Sequence, residues 1–453
     1  MKQNITIFFI FIALCSNAQK EYNNWLFGEY CYLSFNIGSP VFMPGCAISS
    51  LTQEGCSSIS DSAGTLLFYA DGEHVFNRIH HAMPNGVGLN SSASATQAAL
   101  IVKKPLSTTE YYVFTTERGL DSSNGLWYSV VDITLDGGLG DVTVKNFLLD
   151  TAMSEKQSAI RHSNGQDYWL IAHKKLENKF LSFRVTPSGV VLTPVVSTTG
   201  VTPNGNMGCG TMKSNVAGNK LSVVYYDDCV QTYSFDNSTG IVSFDPANDI
   251  LYYSSWLYSS AFSPSGQYLY VSYYHPGILY QFDMTQNTLP PVVVGQTPMY
   301  MCDLALAPDN KIYVVELWST YLGAINYPDA QGPMCGYDTN AVSLDSNYIS
   351  VGLPNFPNDL NFLTSTKEVE KDNLHVSPNP VTNTLRINFP EAEGEVLLTV
   401  TDIYGKLNEQ VKFKRLNYQL DWSQKSEGLY FLKLQSGNKI RVIKVLKQNS
   451  YHE

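Results

Sequence analysis

The chain has 453 residues, 44% apolar and only 15% charged, with 29 Tyr and 21 Phe. It is long and apolar enough for more than one core, and poorer in charge than the ~25% usual for soluble domains. The formal charge of -11 argues against nucleic acid or an anionic lipid surface as partner, since both call for clustered Lys and Arg.

The first element is a secretory signal peptide over residues 1–18. Lys2 precedes an apolar run from Ile5 to Leu14, and Ser16, Asn17 and Ala18 are small residues before a cleavage site between Ala18 and Gln19. That run is too short to span a bilayer, and no later segment reads as a transmembrane helix. Leu14 ahead of Cys15 does not fit a lipoprotein signal, which places Gly, Ala or Ser there. The mature chain keeps Cys31, Cys46, Cys56, Cys209, Cys229, Cys302 and Cys335. Their number is odd, so at least one stays outside any intrachain bond. Proximity alone favours Cys209 with Cys229 and Cys46 with Cys56 as disulfides in an oxidising compartment. With no CxxC and no His beside Cys, no zinc site is expected.

The body repeats. A polar turn followed by a strand of alternating aromatic and aliphatic residues occurs at residues 61–70 (Asp-Ser-Ala-Gly-Thr-Leu-Leu-Phe-Tyr-Ala), 107–114, 164–171 and 217–224. The clearest copies are 263–271 (Ser-Pro-Ser-Gly-Gln-Tyr-Leu-Tyr-Val) and 307–315 (Ala-Pro-Asp-Asn-Lys-Ile-Tyr-Val-Val). Copies lie roughly 45–55 residues apart, the period of a four-stranded propeller blade. Alternation of this kind buries every second side chain between blades. The spacing predicts an all-β fold: a β-propeller over residues 19–364, with seven blades and the last one closed from both ends. Residues 24–30 (Asn-Trp-Leu-Phe-Gly-Glu-Tyr) supply its outer part and residues 349–363 the rest, because ring closure removes exposed sheet edges.

The two clearest repeats resemble the Ser-Pro-Asp-Gly-Lys turn of bacterial WD-like propellers. The body also resembles the N-terminal propeller of large secreted Bacteroidota proteins. The matching stretches are residues 54–61 (Glu-Gly-Cys-Ser-Ser-Ile-Ser-Asp), 67–72, 83–86, 128–132 and 135–141 (Leu-Asp-Gly-Gly-Leu-Gly-Asp). This resemblance implies fold and secretion, and no activity.

Composition changes at residues 365–373 (Ser-Thr-Lys-Glu-Val-Glu-Lys-Asp-Asn), a charged stretch that reads as a linker. Residues 374–453 then read as a small β-sandwich. Pro378-Asn379-Pro380, a turn from Asp402 to Gly405, Gly428-Leu429-Tyr430 and a final segment containing Lys444 and Lys447 follow in the order found in type IX secretion C-terminal sorting domains. That resemblance implies passage across the outer membrane by the type IX machinery and removal of the domain, with the product on the cell surface or released.

Candidate sites are sparse. Asp132, Asp136 and Asp141 in a Gly-rich turn are the one place where calcium could bind, but their spacing is not that of an EF-hand, so no metal or other cofactor is expected. The histidines His74, His80 and His81 read as loop residues. No Gly-x-Ser-x-Gly elbow is present, and the few body arginines form no evident triad of the sialidase kind, so no catalytic residue is assigned. Exposed aromatics at blade tips could stack on sugar rings; Trp256, Tyr258, Tyr274, Trp318 and Tyr321 stand in the richest stretches. The leading expectation is a non-enzymatic binding or adhesion module for an extracellular glycan or protein. The alternatives are a polysaccharide hydrolase or lyase working in the propeller channel, and a structural part of a gliding or adhesion surface layer. Fold alone does not decide among them.

Overall fold

The computed structural model describes residues 20–49, 54–118, 125–286, 289–358, 375–389, 394–402, 406–414, 417–436 and 439–448. The expected signal peptide with its Ala18–Gln19 junction, the expected linker and Gly405 lie outside the described residues. The chain divides into two compact units, residues 1–362 and 363–453. The described residues hold strands and three short 3₁₀ turns.

Unit 1 is a β-propeller of seven antiparallel sheets. Blade 1 has three strands, Asn24–Phe27, Cys31–Ser34 and Val41–Phe42. The other six blades open with the strands Ser57–Ser60, Ala99–Lys103, Met153–Arg161, Met212–Ser214, Leu257–Phe262 and Met301–Leu306. Successive opening strands touch one another around the axis. All begin at one face, here the entry face, and run to the opposite one.

Strand alternation explains the ring. In blade 5, Leu221, Val223 and Tyr225 join a core with Ile160, Trp169 and Phe180 of blade 4, while Val224 and Val230 join Leu257, Leu269 and Val271 of blade 6. In blade 3, Tyr111 and Val113 face blade 2, and Tyr112 and Phe114 face blade 4. Each strand thus supplies two cores, one per face. This is why the body has few polar positions to spare and is rich in Tyr and Phe.

Closure differs from the shared last blade expected of residues 24–30 and 349–363: all three strands of blade 1 lie within residues 24–42, and residues 349–358 add no strand to it. Trp25 and Phe35 of blade 1 pack on Tyr313 of blade 7 at 5.8 and 5.5 Å between ring centroids. Residues 349–358 form a strap along the axis. The Asp303 N–H donates to the Val351 carbonyl at 3.2 Å, the Asn355 N–H to Cys56 at 2.7 Å and the Asn358 N–H to Ala159 at 2.6 Å. The buried Asn355 side chain accepts from Gln97 Nε2 and Lys213 Nζ, both at 3.2 Å, and donates to the Ala99 carbonyl at 3.3 Å. The strap therefore ties blades 2, 3, 4, 5 and 7 together and runs along the axis from the entry side, where Ile349 exchanges backbone hydrogen bonds with Trp318 and Ser319, to blade 4. A cavity of about 80 Å³, lined in part by Gln157, Met212, Lys213 and Phe356, lies against it.

The disulfide expectation fails. All seven described cysteines are free thiols. Cys229 starts a strand and packs into the core between blades 4 and 5, whereas Cys209 caps a 3₁₀ turn and donates to Glu155 Oε1 at 3.3 Å. The Cys46 thiol faces the Phe27 carbonyl at 3.6 Å, and Cys56 lies just ahead of the first strand of blade 2, in an isolated bridge to Pro354. Nearness in sequence did not bring either pair's sulfurs into bonding position.

Unit 2 has a three-stranded sheet (His375–Ser377, Thr384–Asn388, Asn417–Asp421) and a four-stranded sheet (Leu407–Phe413, Val396–Asp402, Gly428–Ser436, Lys439–Lys447). Leu385, Ile387, Val400, Trp422, Leu432 and Val445 share one buried core. Asn379 joins the first turn to the last strand: its Oδ1 accepts from the Leu446 N–H and its Nδ2 donates to the Lys444 carbonyl, each at 2.9 Å. Asp402 and Lys406 close a turn through two hydrogen bonds of 3.1 and 3.0 Å.

Candidate functional site

Three opening strands carry the same irregularity where they begin. Register shifts fall between Met153 and Gln157 in blade 4, between Leu257 and Ser260 in blade 6, and between Met301 and Leu304 in blade 7. A break of this kind re-aims the residues inside it. Here those residues are Ser154, Glu155 and Lys156, Tyr258 and Ser259, and Cys302 and Asp303, all near the entry-side starts of their strands.

Each carboxylate at the mouth is held. Glu155 accepts the Thr96 N–H and hydroxyl at Oε2, at 2.8 and 2.6 Å. Asp303 accepts the Ser259 hydroxyl at 2.6 Å and the Leu353 N–H at 3.0 Å. Glu54 accepts the Ser94 hydroxyl at 2.9 Å and the Tyr258 hydroxyl at 2.8 Å, linking the edge of blade 2 to blades 3 and 6. Burial, and then the charge of Glu155, push the Glu54 carboxyl up to about 7. The buried Lys156 ammonium, lowered to about 8 by desolvation, donates to the carbonyls of Gly208, Cys209 and Gly210 and so pins the turn that carries Cys209.

Beside Glu54 runs a row of aromatic rings across blades 5, 6 and 7. Tyr226 and Tyr258 lie 6.4 Å apart, Tyr258 and Tyr274 5.9 Å and nearly parallel, Tyr274 and Tyr300 4.9 Å, and Tyr300 and Trp318 5.9 Å. His275 stacks on Tyr300 at 4.3 Å. Tyr258 is buried and anchors the row; Tyr226, Tyr274 and Tyr300 are half-buried, and Trp318 is 61% exposed at the outer end. Tyr226 and Tyr274 directly follow buried strands and Tyr300 directly precedes one.

Of the five aromatics singled out from the sequence, Tyr258, Tyr274 and Trp318 fall in this row. Trp256 is exposed beside it, its carbonyl accepting the Tyr274 N–H at 2.7 Å. Tyr321 is an exposed residue at the start of a blade 7 strand, without a ring contact among the described residues. Sequence reading missed Tyr226, Tyr300 and Glu54; a Tyr directly following a strand in consecutive repeats was the available signal for the first. In the Gly-rich turn Asp132 accepts from the Thr134 N–H at 2.9 Å, while Asp141 accepts from Asn85 of blade 2 at 3.0 Å. Among the described residues no three His, Cys, Asp or Glu side chains gather as a metal site.

Residues 375–448 match the model of the secretion system C-terminal sorting domain. Unit 2 carries the type IX sorting domain. This domain indicates export by the type IX system to the cell surface or the extracellular space, and hence dealings with its machinery. No curated protein matches the chain. Among solved structures, one similar to it is PorZ, a surface component of the type IX secretion system of Porphyromonas gingivalis, at 11% identity and a TM-score of 0.30 over 94% of this chain and 70% of that one. Others are Hsv2p of Kluyveromyces lactis (10% identity, TM-score 0.36, 68% and 94% covered) and a luciferin-regenerating enzyme (12%, 0.35, 68% and 94%). Identities this low leave the ligand to be read from the site.

Proposed function

We propose that this type IX-exported propeller, entering the periplasm by its signal peptide, is a non-enzymatic module that binds an extracellular glycan on its entry face. The row Tyr226, Tyr258, Tyr274, Tyr300 and Trp318 carries this reading. Flat rings in series, with faces partly open, suit the apolar faces of successive sugars, and the hydroxyls at the mouth suit sugar hydroxyls.

A hydrolase reading draws on Glu54, a carboxyl raised to about 7 and so suited to hold a general acid's proton near neutrality. Against it, Glu155 is fully buried and both of its oxygens are engaged. It has no open side from which to activate water.

The test is binding of the purified chain to an array of polysaccharides and extracellular proteins, with product release followed on the same array. A specific glycan should bind without product. Trp318→Ala should weaken that binding about five- to ten-fold, the effect of losing about 1 kcal/mol of stacking. Released sugars, or binding indifferent to Trp318→Ala and Tyr274→Ala together, would refute the reading.

A further inference from the structure

We propose that Glu54 makes the aromatic row selective for uncharged sugar chains and turns away uronate-bearing or sulfated ones. This rests on the glycan reading above and adds the ligand's charge class. The argument is the charge balance at the inner end of the row. The Glu54 carboxylate is hydrogen-bonded to Tyr258, the innermost ring, at 2.8 Å. Glu155 and Asp303 stand at the same mouth, held through Thr96 and Ser259. Asp227 flanks Tyr226 and accepts from Asn206 at 2.6 Å.

The cations nearby are already committed. Lys156 is buried under three carbonyls. Lys213 donates to Asn355 at 3.2 Å and lies 3.7 Å from Asp303. The thiols of Cys209 and Cys302 and the phenols of Tyr226, Tyr258 and Tyr274 are all pushed up by burial, and they stay uncharged near neutrality. A sugar carboxylate laid along the rings would meet a negative, partly desolvated mouth where, among the described residues, both neighbouring ammonium groups, Lys156 and Lys213, are already engaged, and repulsion there is poorly screened. A neutral sugar meets only hydroxyls and ring faces.

The filter should also titrate. The Glu54 carboxyl ionises at about 7, so repulsion is strong above that pH and weakens as pH falls through it. Lys156, losing its proton near 8, would deepen the negative field on the alkaline side, in the same direction.

The experiment is calorimetric titration of the purified full-length chain at pH 7.5 and pH 5.5. The probes are neutral hexasaccharides of glucose, mannose and xylose, set against hexamers of galacturonate and guluronate. The expected result is at least one neutral hexamer bound ten-fold or more tighter than either uronate at pH 7.5. That ratio should shrink several-fold at pH 5.5, and again in Glu54→Gln at pH 7.5. The pH series on the wild-type chain keeps the inference testable if the variant folds poorly. A uronate hexamer bound as tightly as the neutral ones, or a ratio blind to pH, sinks the filter while leaving glycan binding in place. No binding of any hexamer sinks the filter and the glycan reading together.

Discussion

Glu54 is a half-buried carboxyl with a charged neighbour, and its stability effect has a definite sign. Its pKa rises from 4.5 to about 7 on folding, so the native state holds the proton more tightly than the unfolded chain. The stabilisation is complete below the unfolded value and is lost as pH rises through about 7. Glutamine has no such proton to lose. Between pH 5 and pH 8 the wild-type chain should therefore lose melting temperature relative to Glu54→Gln; parallel curves for the two proteins would contradict the assignment. His173 shows the opposite case. Full burial lowers its pKa to about 3, so the ring is neutral and bonds to Tyr225 at 3.2 Å as part of the packing.

Among elements, the strap of residues 349–358 has the largest consequence for its size. It supplies no full strand, yet Asn355 alone bonds to Gln97, Lys213 and Ala99 with its side chain and accepts the Ser57 hydroxyl at 2.7 Å with its backbone. Asn355→Ala would leave a buried amide and an ammonium short of a partner, a loss of about 2–4 kcal/mol. The unfolding free energy from urea titration should drop by that amount, through a lower midpoint at unchanged slope; a loss under about 0.5 kcal/mol, the scale of an ordinary surface substitution, would show that the strap is not needed for closure. The three register breaks are the other element-scale feature. Each costs ladder hydrogen bonds, and each turns a side chain that would face a neighbouring blade toward the axis.

At the scale of the whole molecule, the protein joins a rigid ring to a separate β-sandwich that addresses it for export. Unit 2 has its own core around Trp422 and Leu432, and its terminal strand is clasped by Asn379. Removing everything after Asp372 leaves the propeller strap intact and deletes the sorting domain. Cell fractionation should then find a folded propeller retained in the periplasm. Normal surface display of that truncation would show that the sorting domain is dispensable.

Much of this was legible in the chain itself, for local reasons. Alternation within residues 263–271 and 307–315 fixes which side chains face each neighbouring blade, and its recurrence implies a ring. The order of Pro378-Asn379-Pro380, Asp402, Gly428 and Lys444 marks the sorting domain before any coordinate is consulted. The candidate site was only half legible, because what makes it is contact between distant residues. Tyr258 and Glu54 are 204 positions apart, and neither stands in a motif. Nor does any propensity signal a register break that aims Glu155 or Tyr258 at the axis. The cysteine pairs failed for the same reason: spacing in the chain says little about where a side chain points once strands assign it to a core or to the mouth. The sequence alone determined what repeats and where the chain is sent, since those depend on patterns of neighbouring residues. Tertiary structure decided which rings line up and which carboxyl holds its proton, since those depend on blades closing into a circle.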